Sequence, residues 1–421
     1  MKKTFGSKPV NRGLAIGGVL MSGAAMVLAQ DTGTLEKENQ DLKARVMALE
    51  ELAQKQGIMP SGTPAPKLVS AVTDMTISGY VQASYFGNLD HPASGRNGGY
   101  LWNNKDNSFS INKVKISFAS PAVVRSETDW SAGYRVSLLA GEDAPVLNSG
   151  SSTTGFDYLR EGYVELNAPI GKGLKIEAGE LISLLNWESG DGGAANPNFS
   201  QGYQWFYTGN GPAAGVQLDY AFTDWLDAKF RVSNGLYQGP VDANQGKSIM
   251  GSLNFTPCKD AWFNVIGFAG DGSGSTLSVN GASIIGGYQV TSQLGTGFEA
   301  DYFDFHKDNS TSAELWSVGG WAWYDFTSKV GVALRAEFLN DQDGWGLNTT
   351  FGAPTPFGTG SGITSTGSQG ELESFTFTFN LHPTAALKIQ PEIRYNHTSY
   401  AGGFGGKRDQ VIIGAGASYL F

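Results

Sequence analysis

The chain ends in "VIIGAGASYLF" (Val411–Phe421). Val411, Ile413, Ala415, Ala417, Tyr419 and Phe421 are apolar or small, and Ile412, Gly414, Gly416, Ser418 and Leu420 lie between them. Period-two alternation is the signature of a strand, because successive side chains point to opposite faces. A last strand that runs to an aromatic residue with no tail suits a sheet closed on itself, with its end at a membrane interface.

The same alternation recurs at roughly 20-residue intervals from Met75 onward, in "ISGYVQASY", "YVELNA", "LKIEAG", "GVQLDYAF", "AKFRVS", "GSLNF", "GFEADYF", "GVALRAEF", "FTFTFNL" and "LKIQPEIRY". Charges keep to one face, so that face is wet. The connections alternate in length. "APIGKG", "FTDW", "TPCKD", "TSQLG", "FTSK" and "HPTA" are short, and "SPAVVRSETDWS" is a longer member of the same set. The others fall near 88–107, 141–155, 184–207, 236–246, 270–281, 305–313, 341–370 and 397–407. Outer-membrane barrels have short periplasmic turns and longer external loops. Trp130, Phe222, Trp225, Phe255, Trp262, Tyr324 and Phe326 crowd the short-turn ends, as an interfacial girdle would. Fifteen connections predict an all-β transmembrane barrel of about 16 antiparallel strands over 75–421. A barrel of that size encloses an aqueous channel. Alternation slips near Ser110–Lys113, and both faces read apolar near Ala261–Phe268.

Composition agrees with this class. The 421 residues include 58 Gly, with 12% aromatic and only 16% charged residues. No run is long and apolar enough for a membrane helix beyond the N-terminus. "MKKTFGSKPVNR" carries four cations and precedes the apolar "GLAIGGVLMSGAAMVLA". That order, with Val27 and Ala29 before the junction, predicts a signal peptide over 1–29. Its removal takes four of the 29 Lys and Arg and leaves 25 against 39 Asp and Glu, a net of −14. Such an acidic exported chain is a poor ligand for nucleic acid. The single Cys258 allows no internal disulfide, and no metal or cofactor motif is present.

Residues 30–57 read as a short periplasmic coiled coil. Leu35, Leu42 and Leu49 fall at d, with Asn39, Val46 and Ala53 at a. Residues 58–74, which hold all but the first residue of "GIMPSGTPAPK" (Gly57–Lys67), read as a Pro-rich linker.

"YLREGYVELNAPIGKGLKIEAGE", "NPNFSQGYQWFYTGNGPAAGVQLDYAFTD", "VSNGLYQGPVDANQGKSIMGSLNFTP" and "IQPEIRYNHTS" together resemble the OmpL-like beta-barrel porins of bacterial outer membranes. The resemblance implies a pore with no assigned substrate. Where relatives carry a basic residue and then an aromatic after Ala178 and Gly179, this chain has Glu180 and Leu181. The C-terminal Phe421 also resembles the signal read by the barrel-assembly machinery.

If the apolar residues face lipid, their strand neighbours face the lumen. The expected pore-lining cations are Lys113, Lys115, Arg135, Lys175, Lys229, Arg231, Arg335 and Arg394. The anions are Glu161, Glu165, Glu177, Asp219, Glu299, Asp301, Glu337 and Glu392, so the expected lumen carries no charge bias. The third long loop, with Trp187, Glu188 and Asp191, is the expected constriction, its acids facing a wall of bases. The seventh, Gly- and Thr-rich, reads as mobile surface. "NDQDGWG" (Asn340–Gly346) has half of a calcium loop's ligands and lacks the closing Glu.

A porin passing small hydrophilic solutes and ions is therefore the expected function, and a homotrimer the expected assembly, by analogy with other sixteen-stranded porins. The alternatives are a structural or gated barrel anchored through the coiled coil, and an outer-membrane enzyme. The enzyme reading has only His91, His306, His382 and His397 to draw on, with Asp304 beside His306 and no Ser motif.

Overall fold

The structure, a computed structural model, describes residues 40–46 and 74–421 apart from 101, 149–155, 237–240, 243, 272–276, 308–310, 345–346, 348–368 and 402. The chain divides into two units, Met1–Asp74 and Met75–Phe421. In the first, residues 40–46 are helical, with Leu42 exposed. The signal peptide, Leu35, Asn39, Leu49, Ala53 and the linker through residue 73 lie outside the described residues, as does most of the seventh loop.

The second unit is a closed barrel of 16 strands in which every neighbouring pair is antiparallel. In chain order these are β1 Thr76–Asn88, β2 Ser108–Ala119, β3 Ser131–Ala140, β4 Leu159–Ala168, β5 Leu174–Leu181, β6 Ala213–Ala221, β7 Leu226–Ser233 and β8 Ser248–Cys258. They continue with β9 Ala261–Asp271, β10 Leu277–Gln289, β11 Leu294–Lys307, β12 Thr311–Thr327, β13 Val330–Asp341, β14 Gly370–Leu381, β15 Leu387–Thr398 and β16 Asp409–Leu420. Among the described residues no helix is long and apolar enough to cross a membrane. Closure satisfies the ladder groups that an open sheet would leave bare in lipid.

The final stretch closes the ring. β16 pairs with β1 from Tyr80↔Leu420 to Asn88↔Ile412. Ile413, Tyr419 and Phe421 turn outward, whereas Ile412 is fully buried inside. Around the barrel the outer positions carry a continuous apolar set that includes Val81, Val164, Val216, Phe230, Leu253, Val265, Phe298, Leu334, Phe377 and Ile393. So large an exposed apolar band needs lipid to cover it. Trp130, Phe222, Trp225 and Phe326 are exposed at the short-turn end, and Trp225 stacks on Phe255 with centroids 6.4 Å apart. Trp262 departs from the expected girdle, because its indole points into the lumen.

Both irregular stretches have physical causes. Gln82 pairs with Lys113 and Ala83 with Ile111, so Asn112 is the extra residue of a β-bulge. The bulge resets the alternation and sends both Lys113 and Lys115 inward. A second bulge, where Ser137 pairs with Glu161 and Leu138 with Leu159, makes Arg160 the extra residue. Near Ala261–Phe268 the inner face is dry only toward the long-loop end, at Ile266 and Phe268, whereas Trp262 and Asn264 nearer the short turn stay partly exposed to the lumen. Ile266 and Phe268 belong to a buried cluster with Val279, Ile285, Phe303, Phe305, Leu315, Leu339 and Leu372 at the long-loop end. The wet interior expected throughout is thus restricted to part of the wall.

Candidate pore and its inward loop

What fills that cluster is the third long loop, residues 182–212, folded into the barrel. It contains a 3-10 turn, Gly192–Ala194, and a short helix, Tyr203–Tyr207. Gly192 supplies the positive φ (58°) that the turn requires, and a Cβ there would come within 2.8 Å of the Lys113 ammonium. From the first long loop, Tyr100 stacks on Tyr203 at 4.3 Å and Trp102 meets Trp205 edge-on at 4.9 Å. Burial raises the phenol pKa values of Tyr203 and Tyr207. They stay protonated and donate to the carbonyls of Gly98 and Gly99 at 3.2 and 3.1 Å.

The loop is bonded to one side of the wall. On β2, Lys115 meets Asp191 at 3.0 Å, and Lys113 donates to the Gly190 carbonyl at 3.1 Å and to Gln201 at 2.9 Å. Tyr80 on β1 also donates to Asp191, at 2.9 Å. Burial works to raise the Asp191 pKa. The adjacent ammonium and the hydrogen bonds from Lys115 and Tyr80 outweigh it and hold the carboxyl below its ordinary range.

On β11, Glu299 accepts from the Trp187 N–H at 2.9 Å, and Asp301 accepts from Gln204 at 2.9 Å and Thr208 at 2.8 Å. On β13, Arg335 reaches Glu188 at 2.9 Å and Glu337 at 3.1 Å, while Glu337 accepts from the Gln204 N–H at 2.9 Å. On β15, Glu392 accepts from the Phe199 N–H at 2.9 Å and from the Ser200 hydroxyl. Arg394 lies 4.7 Å from the ring centres of both Phe86 and Tyr100, with Glu392 3.7 Å away. These ionisable groups are desolvated, and each has an ion partner or hydrogen-bond donors, as burial requires.

Every residue expected to line the pore is therefore inside the barrel, in two different settings. Lys113, Glu299, Asp301, Arg335, Glu337 and Glu392 are buried beneath the loop and anchor it, and Arg394 is buried beside them, donating to Asn103 of the first long loop at 3.0 Å. Arg231 is buried too, bonded to Gln217 at 2.7 Å and to the Ile182 carbonyl at 2.7 Å where the loop leaves the wall. Arg135, Glu165, Lys175, Glu177 and Lys229 are only partly buried, along β3 to β7. Lys115 stands at the boundary. The expected transverse field from the loop acids is absent, because Glu188 and Asp191 are each neutralised at contact distance. Trp187 lies against β11 and β12, stacked on Trp321 at 4.6 Å.

Three lumen cations escape a sequence reading. Arg160 turns inward only because of its bulge, and donates to the Leu147 carbonyl. Lys388 donates to the Asn196 carbonyl at 2.5 Å. Arg125 reaches in from the turn between β2 and β3 to Asp219 at 2.6 Å. The open strip then holds Arg125, Arg135, Lys175 and Lys229 against Glu165, Glu177, Asp219 and Asp227. His306 and His397 do not meet. Each instead contacts an Asp of its own surroundings, Asp304 and Asp409, at 2.8 Å. Among the described residues no His, Cys, Asp and Glu group has the geometry of a metal site.

A closed sixteen-stranded barrel with an apolar outer band, a charged inner wall and an inward third loop is an outer-membrane porin barrel. The chain belongs to the family described as "Putative beta-barrel porin-2, OmpL-like", whose model matches residues 74–421. A comparison with curated protein sequences gives no match. Among solved structures, the chain is similar to the trimeric form of OmpT, an outer membrane protein of Vibrio cholerae, at 11% identity and TM-score 0.54, covering 82% of this chain and 99% of that one. It is similar to the outer membrane channel DcaP of Acinetobacter baumannii at 12% identity and TM-score 0.52, over 82% and 97%. An anion-selective porin from Comamonas acidovorans is similar at 10% identity and TM-score 0.53, over 82% and 99%. At these identities the likeness concerns the fold.

Proposed function

We propose that the protein lets small hydrophilic solutes and ions diffuse passively across the outer membrane, along the strip of lumen between the inward loop and the wall of β3 to β9. The observation that carries this is the one-sidedness of the loop. Apart from Arg231 of β7 at the loop's root, its bonds run to β1, β2 and β11 to β16, and the partly exposed charges stay on the other side. Four cations face four anions there, with two pairs in contact, Lys175 with Glu165 and Arg125 with Asp219. That balance supports weak ion selectivity. The expected constriction at Trp187, Glu188 and Asp191 is supported by a loop that narrows the lumen from the opposite wall.

The function involves no chemistry. His306 and His397 stand on strands that are not neighbours, so no acid–base pair forms between them. A homotrimer is supported by the trimeric form of the Vibrio cholerae protein, and the helical segment near the N-terminus would add a periplasmic neck. Phe421 is the segment that the barrel-assembly machinery would read.

The test is current across a planar lipid bilayer under a salt gradient, using the refolded mature chain. Discrete steps with a reversal potential near zero are expected. A folded, heat-modifiable barrel that passes no current would overturn the diffusion reading. It would favour a plugged, gated barrel, for which the aromatic packing of the first and third long loops is the structural argument.

A further inference from the structure

Three glycines on the inner wall lie under three indoles. Gly287 on β10 pairs directly with Gly297 on β11, and Gly295 lies two residues along β11 toward the short-turn end. Trp262 covers Gly287, Trp187 covers Gly297 and Trp323 covers Gly295. A Cβ at Gly287 would come within 2.7 Å of the Trp262 Nε1, so the missing side chain is what lets the ring lie on the wall. Trp187 is stacked on Trp321 and lies 5.8 Å from Trp323. The strip thus runs from the inward loop toward the short-turn end, where Trp262 remains 38% exposed to the lumen.

Trp262 also forms one side of a cavity of about 340 Å³. Ser252, Asn254, Asn264, Lys229 and Asp227 are on its polar sides. The Ser252 hydroxyl is buried and has no hydrogen-bond partner. Asn254 donates to Asp227 at 2.5 Å, and Lys229 has no ion-pair partner among the described residues.

We infer that this cavity is a weak binding site for a single sugar ring or similar polyol, with Trp262 as its platform. The inference rests on the pore reading and names a solute class for it. A sugar has a C–H face that suits the negative face of an indole, and a rim of hydroxyls that both donate and accept. The mixed amide, hydroxyl, ammonium and carboxylate groups match that rim. A purely apolar solute would leave the Ser252 hydroxyl and the Asn264 amide desolvated and unmet. A simple ion would meet Asp227 and Lys229 together, with Asp219 beside them already paired to Arg125, so either sign of ion meets a group of its own sign. The volume is at the small end of ligand sites, which fits one ring. A pore site must also release its solute, so half-saturation on the order of millimolar is expected.

The experiment records current through the mature protein in a planar bilayer while D-glucose is added, with glycine at matched viscosity as the control. A saturating fall in current with glucose, with half-block raised at least tenfold in Trp262→Ala and severalfold in Asn264→Ala, is expected. A linear fall, equal in the parent and in Trp262→Ala, would overturn the site, as would equal block by glycine. Current without sugar reports on the pore itself, so the two readings fail separately. If no current flows, or Trp262→Ala does not fold, tryptophan fluorescence of the folded parent and of Trp262→Phe in detergent decides. A saturable change with glucose that weakens in Trp262→Phe supports the site, and no change overturns it.

Discussion

Glu188 on the inward loop and Arg335 on β13 meet at 2.9 Å with both side chains withdrawn from solvent. Glu188 also accepts from the Gly202 N–H at 2.6 Å and from the Trp321 indole at 3.2 Å. It thus ties the start of the loop, its helix and the wall together. Arg335 keeps Glu337 at 3.1 Å, so Glu188→Ala does not strand the guanidinium alone. The expected loss is about 3 kcal/mol of loop anchoring, the low end for breaking a buried pair. The strand ladder is untouched, so the barrel should stay heat-modifiable on gels. Single-channel recording should show a larger and noisier open current. An unchanged conductance would mean that the loop does not set the pore's width.

The second anchor should respond to acid. Asp191 is held below its ordinary pKa of 3.8: burial opposes this, and Lys115 and the two hydrogen bonds overcome it. A depressed folded-state value means the contribution is fully present above the ordinary value and is lost as pH falls through the depressed one. Conductance should therefore be steady from neutral pH down to about 4 and change only below that. Asp191→Asn should show the acid behaviour already at neutral pH. A transition in the parent well above pH 5 would contradict this assignment.

The fold was legible because the lipid face imposes strict alternation on every strand and the two membrane sides impose two loop lengths. The interior was legible in part. Reading inward charges off the alternation found Arg135, Glu165, Lys175, Glu177 and Lys229, which stay partly open. It found Arg335, Glu337, Glu392 and Arg394 equally well, and could not show that a loop buries them. That burial depends on contacts between residues more than a hundred positions apart, such as Arg335 and Glu188, which no local period encodes. Arg160 was hidden by a one-residue bulge. Arg125 was hidden because turns have no facing rule. The dry inner face of β9 did leave a sign, since Ile266 and Phe268 interrupt a polar face, but the sign has no meaning until the loop that covers them is known.

Charge in the open strip should be tunable from its edge. Arg125 meets Asp219 at 2.6 Å and donates to its carbonyl at 2.8 Å. Arg125→Ala removes that contact and leaves the Asp219 carboxylate facing the lumen with only its cross-strand neighbours Lys175 and Lys229 beside it. A unit charge about 8 Å from an ion in a water-like medium is worth about 0.5 kcal/mol, roughly a twofold change in relative permeability. The reversal potential in a gradient near 0.1 M salt should move toward cation preference, and the shift should fade at 1 M as screening shortens. Lys229→Glu should move it in the same direction and further. A shift toward anions in either variant would place these residues outside the ion path.

The seam between β1 and β16 separates barrel stability from assembly. Gly79 and Phe421 exchange both backbone hydrogen bonds, at 2.8 and 3.0 Å, one step beyond the paired positions. A Cβ at Gly79 would come within 2.1 Å of the Lys115 carbonyl on β2 and 2.8 Å of the Phe421 ring, so it would press on both neighbours of β1. Gly79→Val should therefore disturb closure itself, and the refolded fraction in lipid should fall, measured as the heat-modifiable band. Phe421→Ala keeps the backbone exchange and removes only an outward ring that is 55% exposed, so refolding in lipid should change little. If the ring is read as an assembly signal, the amount of folded protein in outer membranes should still drop severalfold in cells. Equal losses in refolding and in cells would make Phe421 a plain structural residue of the seam.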